Sequence, residues 1–466
     1  MNRQPSNPKR SRGTTRLSRS PWAPAILVLG AWASCNAPGL VVGNDLDEQA
    51  SSSQEFAQIK PDADLYQLVW DDRDQYVHGS KTRFSVEPAE SLDPLDRLHL
   101  KLWDNGKLAF VALVPVKDQG FVIDTEYWPK LSQFEERVMT LEAMRSDSET
   151  GLSEPESLKR VAFDEFAWEG AFGSMDYSSV DTSKDRTVEV SEIDGLTVLI
   201  SGSIAATFDD ASGALISYRK GSVEMLASPM RPNFWRPGSA AELAGPAAEV
   251  LGRWKSAMDD SHASTRTLDE TGERVFLGYD LDLGLYQGAQ RGTVQLAWFM
   301  SPDGSLELTY NLHPSTLPDG SPGEIPQVGL ALDLDRRFDQ WSWYGRGPGP
   351  STVDNLGQSR WGQYQGRVGV AGLLGVRSGI RWLTIHDGDD HGLSILTSYA
   401  PVGEGGFEVC AYGQSWGSLL GQGVDAATYG VSLDVVSVGD LASENADRIK
   451  LFGNREYNYN LHLEIF

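Results

Sequence analysis

At 466 residues, with 10% aromatic residues and 14 Trp, the chain has room for two or three domains and a well-buried core, which excludes a disordered polypeptide. A formal net charge of −25, spread without long acidic blocks, repels phosphate backbones, so nucleic acid is not an expected partner. Two cysteines, Cys35 and Cys410, make neither a disulfide framework nor a Cys-rich metal site, and the scattered His add none, so no metal or cofactor is expected.

Residues 1–35 read as an export signal. Arg3, Lys9, Arg10, Arg12, Arg16 and Arg19 lead, without an acid, into the apolar run PWAPAILVLGAWASC, too short to favour a membrane span. Ala33-Ser34-Cys35 puts small residues before a cysteine, as in bacterial lipoprotein signals, with Trp32 where those signals usually carry Leu. Lipidation of Cys35 and ordinary cleavage near Ala33 or Ala37 both fit. The expected location is periplasmic, outer-membrane-anchored or extracellular, with membrane contact only through a lipid anchor. Residues 36–58 have linker composition.

From about Leu65 the dominant pattern is a two-residue alternation, the period of a half-buried strand. It predicts a β-rich domain over residues 59–145, an acidic, Ser-rich connection over 146–187, and a large all-β domain over 188–466. SQFEERVMTLEAM (Ser132 to Met144) fits a helix as well, although its neighbours on both sides are strand-like. YDLDLGLY, LELTYNL, VGLALDLD and YNYNLHLEI carry the alternation through the second half, with turns such as DDASG and SPDGS between strands, as antiparallel hairpins require. Ala240 to Met258 can form helix on either side of Pro246. HDGDDHG (His386 to Gly392) resembles a metal cluster on paper, but its apolar flanks favour a hairpin turn built from Asp and Gly.

Several stretches resemble, in the same chain order, the C-terminal β-sandwich of glycoside hydrolase family 2 β-galactosidases, their small chain or fifth domain. They are ATFDDASGALISYRKGSVEML (Ala206 to Leu226), PNFWRP (Pro232 to Pro237), RWKSA (Arg253 to Ala257), WYGRGP (Trp343 to Pro348) and RSGIRWLTIHDGDDHGLSI (Arg377 to Ile395), with the closing YNYNLHLEIF. Asp354 stands where the family has an Asp. The resemblance covers roughly the last three-fifths of the chain. It implies a galactose mutarotase-like supersandwich, two large antiparallel sheets face to face. Residues 60–145 are more loosely similar to the immunoglobulin-like domain that precedes it in the family.

Glycosidic cleavage normally needs two facing carboxylates. In these β-galactosidases both stand on a (β/α)₈ barrel, for which the residues before the sandwich leave no room, so no catalytic residue is carried over. The sandwich also departs from its family near the sugar site. Ser239-Ala240-Ala241-Glu242 replaces an Asp-Asn-Asp run, Pro350-Ser351 replaces a Glu-Asn pair, and Val438 to Ala446 lacks the family's Trp.

The carbohydrate-binding candidates are Trp235, Arg236, Trp343, Tyr344, Arg346, Asp354, Arg381 and Trp382, because aromatic faces stack on sugar rings and Arg donates in pairs to hydroxyls or carboxylates. The competing reading packs these Trp between sheets and uses the Arg to satisfy buried carbonyls. Trp416 reads as an exposed ring in a Gly-rich loop, Gly345 and Gly347 as parts of a tight turn, and Cys410 as an inert thiol. The expected function is an exported small-chain-like protein in carbohydrate metabolism, either carbohydrate-binding or accessory to a separate glycosidase catalytic chain. The alternatives are a self-contained epimerase- or lyase-like enzyme using His386, His391, Asp354 or Asp387, and a surface scaffold.

Overall fold

Alternating sequence becomes alternating burial. In Val275–Asp282, VFLGYDLD, every second residue from Val275 is buried, and Leu306–Pro314 repeats the pattern over most of its length. The structure, a computed structural model, describes residues 67–71, 80–87, 96–114, 120–126, 128, 130–132, 135–146, 158–173, 187–320, 323–351, 359–369, 373–389, 391–401, 405–423, 425–437, 441 and 451–466. The expected export signal, Cys35, the linker and Asp354 lie outside these residues.

A broad nine-stranded antiparallel sheet runs in the spatial order His262–Asp269, Val275–Asp282, Gly292–Met300, Leu306–Pro314, Tyr457–Ile465, Gly392–Thr397, Trp382–His386, Gln340–Gly347, Arg360–Arg367. A narrow five-stranded sheet packs on it in the order Arg231–Asn233, Gln327–Asp335, Thr428–Ser437, Phe407–Ala411, Gly375–Ile380. Trp298, Leu308, Tyr310 and Leu463 from the broad sheet meet Leu330, Leu332, Val431 and Leu433 from the narrow one in a single core. The Tyr459 hydroxyl donates across it to the Leu433 carbonyl at 2.9 Å. This is the all-β supersandwich that the alternation and the resemblance predict.

The amino-terminal part is a smaller β-rich body. Gln67–Trp70, Lys81–Glu87 and Gly120–Asp124 form one sheet; Leu158–Gly173, Glu136–Ser146, Asp96–Asp104 and Lys107–Val114 form another. Phe84 and Phe121 stack at 5.1 Å, and Phe84 meets Phe166 of the second sheet edge-on at 5.2 Å. Two segments differ from expectation. Glu136–Ser146 is strand, not helix, because Met139, Leu141 and Ala143 alternate into this core. The stretch 146–187, read as connection, contains the 16-residue strand Leu158–Gly173, whose acids mask its alternation. At its far end Tyr399–Pro401, from the sandwich half of the chain, adds itself to this sheet. The described residues belong to one compact unit.

The helices are short. Pro246 separates Ala240–Ala244 from Ala247–Lys255, and Ser239 with Glu242 forms a capping box at the first.

Candidate functional site

The strand Gln340–Gly347 carries Trp343, Tyr344 and Arg346, and its neighbour places Trp382 opposite Tyr344. Gly345 and Gly347 lie in this strand and not in a turn. A Cβ on Gly345 would come within 3.0 Å of the Ile380 backbone, and one on Gly347 would strike the Tyr364 ring. Close approach of neighbouring groups, not turn geometry, requires glycine here.

The arginines of this corner face the amino-terminal sheet. Arg381 and Glu136 are both fully buried and form a two-pronged ion pair at 2.8 and 2.9 Å, while Arg381 also donates to the Gly405 carbonyl at 3.0 Å. Arg346 pairs with Glu165 at 3.2 Å, and the other Glu165 oxygen accepts the Trp361 amide at 2.9 Å. Burial pushes the Glu165 carboxyl up and the Arg346 guanidinium down, against their mutual attraction, the signature of an ion pair taken out of water. Burial and the neighbouring Glu136 carboxylate hold the Tyr344 phenol well above its ordinary range. Tyr344, Trp361, Val138 and Phe172 form a small core of their own, with half-buried Trp382 against it. Trp343 is 1% exposed, and its Nε1 donates to the Arg346 carbonyl. These residues, read from sequence as a sugar surface, therefore build a joint within the chain. Glu136 and Glu165, their partners, lie some 200 residues away in sequence, and no local pattern announced them.

His386, Asp387 and His391 occupy the hairpin turn that the sequence predicts. Asp387 pairs with His391 at 3.3 Å and caps the Asp389 amide at 2.9 Å. Although burial opposes it, the Asp389 amide and His391 lower the Asp387 carboxyl. The turn stands at the opposite end of the strand Trp382–His386 from Arg381, about 13 Å along it, so the structure does not bring the histidines to the corner.

Trp235 and Arg236 belong to a different place, the outer face of the narrow sheet. There Trp416, 3% exposed rather than open, lies on Gly430, which has no side chain to displace it. Its indole donates to the Val431 carbonyl at 3.0 Å, and its amide donates to Asp333 at 2.8 Å. Trp416 contacts Tyr412 edge-on at 4.9 Å and Trp235 at 6.5 Å, and exposed Lys255 sits 5.3 Å over the Trp235 ring. Arg236 binds both oxygens of Glu242, at 3.1 and 2.8 Å. Burial would raise the Glu242 carboxyl, but Arg236 and the amides of Ser239 and Leu441 outweigh it and bring it down to about 2.

Beneath these rings strand register builds a polar row. Asn233, Gly329, Asp434 and Glu408 are successive partners across four strands. A Cβ on Gly329 would lie 2.4 Å from Asp434 Oδ1, so the glycine makes room for that carboxyl. Asp434 accepts from Gln327 at 2.8 Å and Ser432 at 2.6 Å, yet burial raises its pKa well above the usual carboxylate value. Glu408 accepts the Ser437 amide at 2.6 Å. Burial also pushes Cys410 up to about 12, consistent with an inert thiol. Sequence reasoning missed Asp434 and Glu408. The available signal was a lone acid inside an otherwise apolar or small strand, in YGVSLDVVSV and FEVC.

Residues 201–415 match the family described as Beta galactosidase small chain. A beta-galactosidase of Priestia megaterium is 29% identical over 217 residues, 45% of this chain and 20% of that protein. One of Halalkalibacterium halodurans is 22% identical over 202 residues, 42% of this chain and 20% of that protein. Among solved structures, a putative aldose 1-epimerase of Escherichia coli K12 is 10% identical with a TM-score of 0.36, covering 58% of this chain and 99% of its own. A galactose 1-epimerase of Lactobacillus acidophilus is 9% identical with a TM-score of 0.34, covering 60% and 99%. The chain spans about a fifth of the length of the curated relatives it matches. Over residues 201–415 the chain is similar to the β-galactosidase small chain.

Proposed function

We propose that this is an exported carbohydrate-binding protein that accompanies a glycosidase catalytic chain and does not cleave glycosides by itself. The observation that carries the reading is the small-chain match over residues 201–415 in a chain whose described residues build strands and four short helices, with none of the strand-helix alternation of a catalytic barrel. The basic, apolar amino-terminal run supports export, to a compartment the catalytic partner would have to share.

On this reading the sugar surface is the rim of the narrow sheet and not the corner. Trp235, at 8% exposure, and half-buried Tyr412 stand at this rim against the buried Trp416 ring, with Lys255 exposed beside them. The corner aromatics and Arg346 and Arg381 are occupied by the amino-terminal sheet. The test is a glycan array and an aryl β-galactoside hydrolysis assay on the full chain. Binding without hydrolysis, lost in Trp235→Ala, is the expected result. Hydrolysis by the purified chain refutes the accessory role, and binding that survives Trp235→Ala refutes the assigned surface.

A further inference from the structure

Among the described residues, deeply buried arginines are paired, with one exception. Arg137 binds Asp104 and Glu169, Arg381 binds Glu136, Arg377 donates to the carbonyls of Leu373, Gly375 and Pro348, and Arg291 is held by Asp260, Ser256 and two carbonyls. Arg253, in the last turn of the helix Ala247–Lys255, is 7% exposed. Among the described residues no carboxylate or carbonyl accepts from its guanidinium, and its Nε is closed off from solvent without a partner. The guanidinium leans over the Trp254 ring, 5.5 Å from the centroid. A like charge stands beside it: Arg291 donates from Nε to the Arg253 carbonyl at 2.8 Å. The Tyr286 ring lies under Arg291, and its hydroxyl reaches to within 3.8 Å of where a Cβ on Gly252 would stand.

A buried cation beside a second cation is costly unless an anion meets it. Asp260 already pairs with Arg291, Asp259 with Arg231, and Asp282 with Gln290 and the Gly284 amide, so none of the three meets Arg253. The protein as a whole carries a net charge of −25, so a shortage of carboxylates does not explain a missing partner. We infer that Arg253, backed by Trp254 and flanked by Arg291 and Tyr286, is a binding site for an oxyanion that enters from outside the chain. A guanidinium donates two parallel N–H groups, which matches a carboxylate or a sulfate. That the oxyanion is borne by a sugar, as the carboxylate of a uronic acid unit or as a sulfate ester, rests on the proposed function; that it is an oxyanion does not.

The experiment is isothermal titration calorimetry of the full chain with galacturonate, inorganic sulfate and galactose, on wild type, Arg253→Gln and Arg253→Lys. Galacturonate and sulfate are expected to bind the wild type, and Arg253→Gln is expected to weaken both by at least about tenfold, the scale of a lost charge-assisted hydrogen bond. Arg253→Lys keeps the charge without the fork, so it is expected to fold and to weaken binding by a smaller factor. Galactose binding, if measured, is expected to be equal in all three proteins. Sulfate binding without galacturonate binding supports the oxyanion site and overturns its assignment to a sugar acid. No binding of either anion by the wild type, or affinity unchanged in Arg253→Gln or in Arg253→Lys, overturns the site.

Discussion

Asp434, on the narrow sheet, and Glu242, on the helix Ala240–Ala244, show how a carboxyl group takes opposite electrostatic roles. Arg236 and two amides lower the Glu242 carboxyl, while Asp434 accepts only from neutral donors, and burial with the neighbouring Glu408 carboxylate raises it. The sign of the pH dependence follows. The unfolded Asp434 loses its proton near pH ~3.9, whereas the folded one keeps it well above that. Over this window the folded state binds the extra proton, so stability falls as pH rises. Asp434→Asn keeps the shape and one acceptor, and it removes the titration. Wild type is therefore expected to lose stability relative to Asp434→Asn between about pH 5 and about pH 8. Urea denaturation of both proteins at the two pH values checks this, and a constant difference would mean that Asp434 is ionised in the folded protein.

At the scale of elements, the hairpin between Asp96–Asp104 and Lys107–Val114 turns at Asn105–Gly106 and lays its tip on the sandwich. Gly106 has φ +75°, and a Cβ there would lie 2.6 Å from the Tyr344 ring, while the Asn105 carbonyl accepts from Gln363 at 2.9 Å. Gly106→Ala meets both a left-handed backbone and a ring that is fully buried and cannot swing away. It is expected to cost about 2–4 kcal/mol. Gly195→Ala, at φ +80° with nothing within 4 Å, is expected to cost only about 1–2 kcal/mol. Chemical denaturation of the two variants separates backbone strain from the joint. The same hairpin explains what the sequence made legible. Alternation in LELTYNL or YNYNLHLEI identifies strands because period two is a local property. Leu158–Gly173 escaped because Asp164, Glu165 and Glu169 make it look solvated, when Glu165 and Glu169 are spent on Arg346 and Arg137. WYGRGP was recognisable as a sandwich corner, but whether it faced a sugar or another strand depended on partners far off in the chain.

The whole molecule depends on that corner. Two hydrophobic cores, one around Phe84 and Trp168 and one in the sandwich, are bridged by the Tyr344 cluster, the strand Tyr399–Pro401 and the Arg381–Glu136 pair. Glu136 lies on the amino-terminal sheet and Arg381 on the sandwich, and both are closed to water, so removing one leaves the other charged, buried and without its counter-charge. Glu136→Ala is expected to cost about 3–5 kcal/mol. Because the loss falls on the joint and on neither core, scanning calorimetry is expected to resolve one transition in wild type and two in Glu136→Ala, with the amino-terminal sheet melting first. The smaller core, with fewer buried side chains behind it, is the one that needs the support. Glu136→Leu combined with Arg381→Met restores apolar contact without the desolvated charges and is expected to recover most of the loss and the single transition. If Glu136→Ala instead melts in one step, the strand exchange at Tyr399–Pro401 and the Tyr344 cluster are sufficient to couple the two cores, and the ion pair serves only to fix their register.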